Sequence, residues 1–371
     1  MKFLFVDTYY PAFLKYFRKK YPKLNGESYK RQKETLLAQY FGTADSYSYY
    51  IRQLGFQAED LVANDEMLQK CWVLENGMQL SSSGWLSKIQ SFPYIYKLLG
   101  RPKWIQEIAL SQIKKAKPDV LYLQDLTILN PETLALTKKY CRLLVGQIAS
   151  PLPLGAYLEQ FDLILTSFPH YVDYFLKKKI KSEYFKLGFE PRVLKLTGEQ
   201  KRIYDVVFVG SYSHYHRQSM RLVESLAQKI PLHVWGQGIG YFNPFSKLYG
   251  NYHGEAWGLN MYKILAQSKI IVNRHINVSQ DYANNMRLYE STGMGAMLIT
   301  DEKKNLNELF KVGKEIETYK NADELISKVK YYLTHEDKRK EIAISGQKKT
   351  LAEHSYHHRM KELIKIVSRY I

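Results

Sequence analysis

The chain has 371 residues, 45% hydrophobic and 24% charged, an ordinary globular balance over more length than one core usually supports. Its formal net charge of +18 is unusual and favours polyanions: nucleic acid, anionic lipid or nucleotide diphosphates, unless it is only a lysine-rich solvated shell. Two cysteines far apart, Cys71 and Cys141, exclude a disulfide framework and a cysteine-based zinc site.

The opening "MKFLFVDTYYP" has too short an apolar run for a secretory leader, and no stretch reaches the length of a membrane span. A cytoplasmic protein is expected, with peripheral contact at an anionic membrane compatible with the charge. "FLFV" (3–6) reads as a first strand, "QAEDLVAN" (57–64) as a weak second and "DVLYLQ" (119–124) as a strong third. "RLLVGQI" (142–148), "DLILTS" (162–167) and "SEYFKLG" (182–188) follow, with helical patterns between them, over 29–55 and 131–141 for example. The stretch 191–203 loses periodicity and reads as a linker. The phrase then restarts with "YDVVFVGS" (204–211), "LHVWGQG" (232–238), "KIIVNRH" (269–275) and "AMLITD" (296–301). Strands alternating with helices predict parallel sheets. The expected class is α/β, with two Rossmann-like doubly wound domains facing across a cleft. The first spans 1–190, the second 204–350, and a closing helix over 351–371 is expected to pack back on the first.

Ligands of such sheets sit beyond the carboxyl ends of the strands. Asp7, Asp125, Gly210, Ser211, Gly236, Asn273, His275 and Asp301 all fall there. "VVFVGSYSHYHR" and "VWGQG" end strands in glycine, which lets backbone approach a ligand, but neither is a dinucleotide fingerprint or a phosphate-cradling ATPase loop. In "NNMRLYESTGMGAMLITD" (284–301) an asparagine suited to capping precedes Arg287 and Glu290, which share a helical face. They form either a weak surface pair or a pair turned toward the strand-end crevice. There a carboxylate accepts both hydroxyls of a ribose and an arginine holds a diphosphate. The residues alone leave both readings open.

These segments, with "LFKVGKEIETYKNADELISKVKYYL" and "AEHSYHHR", resemble the C-terminal domain of CgeB-like glycosyltransferases, a branch of the group-one transferases with the GT-B fold. The similarity runs over about 204–358. It implies a nucleotide-diphosphate-sugar donor bound mainly to the second domain, with Glu290 on the ribose and Asn285 and Arg287 near the diphosphate or sugar. Gly210, Ser211 and Gly236 belong to the same expected donor site. Many retaining relatives carry a second glutamate where this chain has Tyr282, so Asn273 or His275 is expected to hold the sugar instead.

A base for the acceptor proton is expected from Asp125, followed by Asp7 and His170. His275 is the second catalytic candidate, and His214, His216, Arg217 and Lys263 are further phosphate contacts. No paired-aspartate metal motif stands where one is expected, so no metal or other cofactor is called for. The expected partners are the nucleotide sugar and an acceptor that is a glycan, a lipid-linked saccharide, a protein or a small molecule. Two rivals are an epimerase or hydrolase on the same scaffold and a non-catalytic sugar-nucleotide-binding relative. A nucleic-acid binder is disfavoured because the charge is spread without a recognised module.

Overall fold

Short apolar runs bounded by turn residues become strands in the order expected, and every pairing between the described strands is parallel. The structure is a computed structural model and describes residues 1–81, 101–153, 157–213 and 216–371. The chain divides into two units, Met1–Phe185 with Met360–Ile371, and Lys186–Arg359.

In the first unit β1 (Lys2–Asp7), β2 (Gln57–Val62), β3 (Val120–Leu123), β4 (Leu143–Ile148), β5 (Leu163–Thr166) and β6 (Ser182–Tyr184) form a six-stranded sheet in the order β2-β1-β3-β4-β5-β6. The central strands β3, β4 and β5 are buried at every residue, as a parallel sheet covered on both faces demands. One predicted element is corrected. The helical pattern over 29–55 is two helices, Tyr29–Leu37 and Ser46–Gln53. One unbroken helix there would run about 40 Å, far longer than a short sheet can cover. The break holds Tyr40, Gly42 and Ala44 at positive φ, and Thr43 Oγ1 donates to Gln124 Oε1 at 3.0 Å.

In the second unit β7 (Tyr204–Val209), β8 (Leu232–Trp235), β9 (Ser268–Asn273), β10 (Met297–Asp301) and β11 (Glu317–Tyr319) form a sheet in the order β11-β10-β9-β7-β8. The edge strand β11 is only "ETY", which carries no apolar run to announce it. The stretch read as a linker contains a helix, Arg192–Thr197, and packs within this unit. Arg202 ties it down by donating to the carbonyls of Leu265, Ser268, Met294 and Gly295 at 2.6–3.2 Å. Two helices therefore lend their orphan C-terminal carbonyls to one guanidinium.

The closing helix also differs from expectation. Helix Glu336–Glu353 stops, and a second helix, Tyr356–Val367, begins after a two-residue break. At the break the His354 carbonyl accepts from Phe189 N, and Tyr356 N donates to the Phe189 carbonyl, both at 2.8 Å. Met360–Ile371 groups with the first unit, where Arg369 meets Glu183 at 2.8 Å.

Arg202→Ala removes the shared donor and strands several carbonyls, so it is expected to lower stability by about 2–3 kcal/mol, read from the urea midpoint. A midpoint unchanged from wild type would show that the stretch is a free tether after all.

Candidate functional site

At the carboxyl ends of β9 and β10 a chain of polar groups, all buried but the half-buried Asn285, links five residues. Asn285 caps helix Met286–Gly293 by accepting from Leu288 N at 3.2 Å. Its amide pairs reciprocally with that of Asn273, at 3.0 and 3.3 Å. Asn273 Nδ2 also donates to Thr300 Oγ1 at 2.9 Å, and Thr300 donates on to Asp301 Oδ1 at 3.2 Å. Asp301 Oδ1 in turn accepts from the backbone N–H of His275 at 2.9 Å and from its ring Nδ1 at 2.7 Å. The sequence-predicted residues Asn273, Asn285 and His275 are thus brought together, with Thr300 and Asp301 as the intervening links.

One turn into that helix, Arg287 and Glu290 meet at 2.9 Å and are largely buried. The weak surface-pair alternative therefore does not apply. Glu290 also accepts from the hydroxyl of Tyr262, on helix Leu259–Ala266. Burial pushes the Glu290 carboxyl up, and the Arg287 charge and the Tyr262 hydrogen bond work against that rise. Arg287 Nη1 lies 3.2 Å from Met261 Sδ, and its Nε has no hydrogen-bond partner among the described residues. Tyr262 and Met261 were not legible in the motif because they come from another helix.

The glycines after β7 and β8 lie against neighbouring backbone. A Cβ on Gly236, at φ +144°, would stand 1.6 Å from the Gly210 carbonyl oxygen, and one on Gly238 would stand 2.2 Å from that of Tyr212. The loops after β7 and β8 press backbone against backbone, with Tyr212 N donating to Gln237 O at 2.8 Å. The close approach that Gly236 permits is to Gly210 itself. Ser211 lies half-buried in the same loop. Ser213 Oγ and His216 Nδ1 are 2.8 Å apart, and His214 lies outside the described residues. Arg217 and Lys263 are exposed, and Tyr282 is half-buried in the loop ahead of Asn285.

In the first unit Asp125 is heavily engaged. Its carboxylate meets the Arg101 guanidinium at 2.5 Å and accepts from Thr8 Oγ1 at 3.1 Å, Thr127 N at 2.9 Å and Thr127 Oγ1 at 2.7 Å. It ties three segments together. Asp7, at the end of β1, has its carboxyl pushed up to about 7 by burial and by the charges of Asp125 and Asp60, against a hydrogen bond from Thr8 N. Asp60 is likewise raised to about 7, by burial first and then Asp45, against Ser48, Lys33 and Arg52. His170 stacks on Phe168 with ring centres 5.5 Å apart.

Residues 217–365 match a protein family described as glycosyl transferase-like. That match covers less than half of the chain; the fold described above is that of the GT-B glycosyltransferases, and together they support a glycosyltransferase. HepE of Anabaena, solved with UDP and glucose, superposes over 100% of both chains with a TM-score of 0.59 at 12% identity. Sucrose-phosphate synthase of Thermosynechococcus elongatus gives 0.61 at 9%, covering 100% of this chain and 99% of its own. A glycosyltransferase of Rickettsia africae gives 0.56 at 12%, with 100% and 98% covered. These likenesses are of fold. No curated protein matches the chain in sequence. Among the described residues no helix is long and apolar enough to cross a membrane.

The raised acids give the first unit a pH signature. Below about pH 4 folded and unfolded states both hold these protons. Between there and about 7 the folded state binds more protons than the unfolded, so stability falls as pH rises. Asp60→Asn removes one of the acids, and its urea midpoint should exceed that of wild type at pH 8 while matching it at pH 4. A variant no more stable at pH 8 contradicts the assignment.

Proposed function

We propose that this chain transfers a sugar from a uridine-diphosphate donor to an acceptor hydroxyl, that the second unit holds the donor, and that no metal takes part. The observation that carries the reading is the buried Arg287–Glu290 pair on a helix capped by Asn285 at the ends of β9 and β10. The motif likeness to CgeB-like transferases supports placing the chain in that branch. The HepE protein, which shares the fold, has been solved with UDP-glucose.

In this reading Glu290 is the acceptor for the ribose hydroxyls. Its burial makes each hydrogen bond count for more than it would in water, and Tyr262 and Arg287 hold its carboxylate in one orientation. The first-turn amides of the Met286–Gly293 helix, its positive dipole end and Arg287 take the diphosphate charge. Cationic side chains thus do the work that a divalent ion performs elsewhere. Asn273 faces the sugar in place of the acid that Tyr282 replaces.

Calorimetric titration with UDP tests this. Glu290→Gln keeps the side chain's shape and one acceptor oxygen, and it should weaken UDP binding about tenfold, or about 1.4 kcal/mol. Glu290→Ala should weaken it further with the fold retained by circular dichroism. Unchanged affinity in both variants sinks the ribose assignment.

A further inference from the structure

His275 is 3% exposed, and its two ring nitrogens are unequal. Nδ1 is taken by Asp301 at 2.7 Å, and the same carboxylate oxygen accepts the residue's own backbone N–H at 2.9 Å. Nε2 is buried and has no hydrogen-bond partner among the described residues. A buried polar atom without a partner is costly, and the bond from Nδ1 to Asp301 keeps the ring from turning this one away. Through Asp301, Thr300, Asn273 and Asn285 the ring is hydrogen-bonded to the cap of the helix assigned above to the diphosphate.

We infer that Asp301 is a positioning residue that orients the His275 ring so that its Nε2–H is donated to a phosphate oxygen of the donor's diphosphate. Asp301 accepts from Nδ1, and its carboxylate supplies a counter-charge beside the ring when Nε2 also carries a hydrogen. The Asp301 carboxyl itself is held well below its ordinary range. Burial alone would raise it, and the charge and two hydrogen bonds of His275, with Lys303 beside it, outweigh that. The other charged or titratable groups near this pair are few. Lys303 Nζ lies 3.5 Å from Asp301 Oδ2, Tyr319 on β11 donates to the Asn273 carbonyl, and Arg274 bonds to Gln218 and Tyr319.

The inference rests on the donor reading and adds a part to it. In the transfer, the bond from the anomeric carbon to the diphosphate oxygen breaks and its electron pair stays on that oxygen. A bond forms to the acceptor oxygen, whose proton leaves to a base. His275 gives up no proton; it steadies charge that grows on the leaving diphosphate.

Calorimetric titrations of UDP and UMP test it, since UMP lacks the second phosphate. His275→Asn keeps an amide donor toward Asp301 and removes the far end of the ring. It should weaken UDP at least tenfold and change UMP by no more than about twofold. Asp301→Asn still accepts the backbone N–H but removes the counter-charge, and it should weaken UDP severalfold with UMP little changed. If His275→Asn proves unfolded, the Asp301→Asn affinities decide. Wild-type affinity for UDP in the folded variants would reduce the pair to a structural tie and overturn the inference alone, with the Glu290 dependence intact. Failure of wild type to bind UDP would overturn the donor reading and this inference together.

Discussion

The second unit depends on how buried polar groups at the carboxyl ends of two parallel strands are satisfied. A parallel sheet covered on both faces leaves its strand ends pointing into loops that must find hydrogen-bond partners inside the protein. Here the Asn273–Asn285 amide pair does this, and Thr300 and Asp301 extend it to His275. The consequence is geometric. One asparagine both caps a helix and is fastened to the neighbouring strand, so the start of that helix is fixed on the end of β9. Glu290 and Arg287, one turn further on, inherit that placement.

Close packing behind the helix makes the placement rigid. A Cβ on Gly293 would stand 2.6 Å from the Phe189 ring, and Gly295, at φ +70°, turns the chain into β10 beside Arg202 and Gln347. The Phe189 segment is itself clamped by the break at His354. Burial there pushes the His354 imidazole down to about 4, so this neutral ring can pass a hydrogen bond from Nε2 to the Leu309 carbonyl while Nδ1 accepts from Arg359. Two histidines in one unit therefore do opposite work. His354 has a partner at each nitrogen and is structural, whereas among the described residues His275 has one at Nδ1 only. Asp7 and Asp60 in the first unit show a related contrast with Asp301, since burial there outweighs the groups that oppose it and their carboxyls rise.

Much of this was legible in the sequence, for physical reasons. Runs such as "VLYL" and "IIV" (270–272) are apolar throughout because both faces of a parallel strand are covered, and they mark the sheets. The strand "ETY" at the edge has no such need and left no signal. The helix break at 38–45 hid because its sequence keeps helical periodicity on both sides, with only Gly42 to announce a turn. Within the site, Arg287 and Glu290 were readable because they lie three apart on one helix. Tyr262, which fixes Glu290, and Thr300, which links Asn273 to Asp301, come from separate elements that only the fold brings near. Asp125 stood at a strand end as expected, but nothing in its surroundings in sequence disclosed that Arg101 holds it. The glycines were noticed for the property they have, close approach of backbone, and the structure adds that Gly236 makes room for the backbone at Gly210.

The central claim is that the strand-end network and the helix it fixes form the seat of a nucleotide diphosphate. Hydrogen–deuterium exchange of the full chain, with and without UDP, tests it most directly. Slowed exchange is expected in peptides spanning 273–276 and 285–290, with little change in the first-unit strands β1 to β6. Protection confined to the first unit, or none in those two peptides at a UDP concentration that saturates binding, would contradict it.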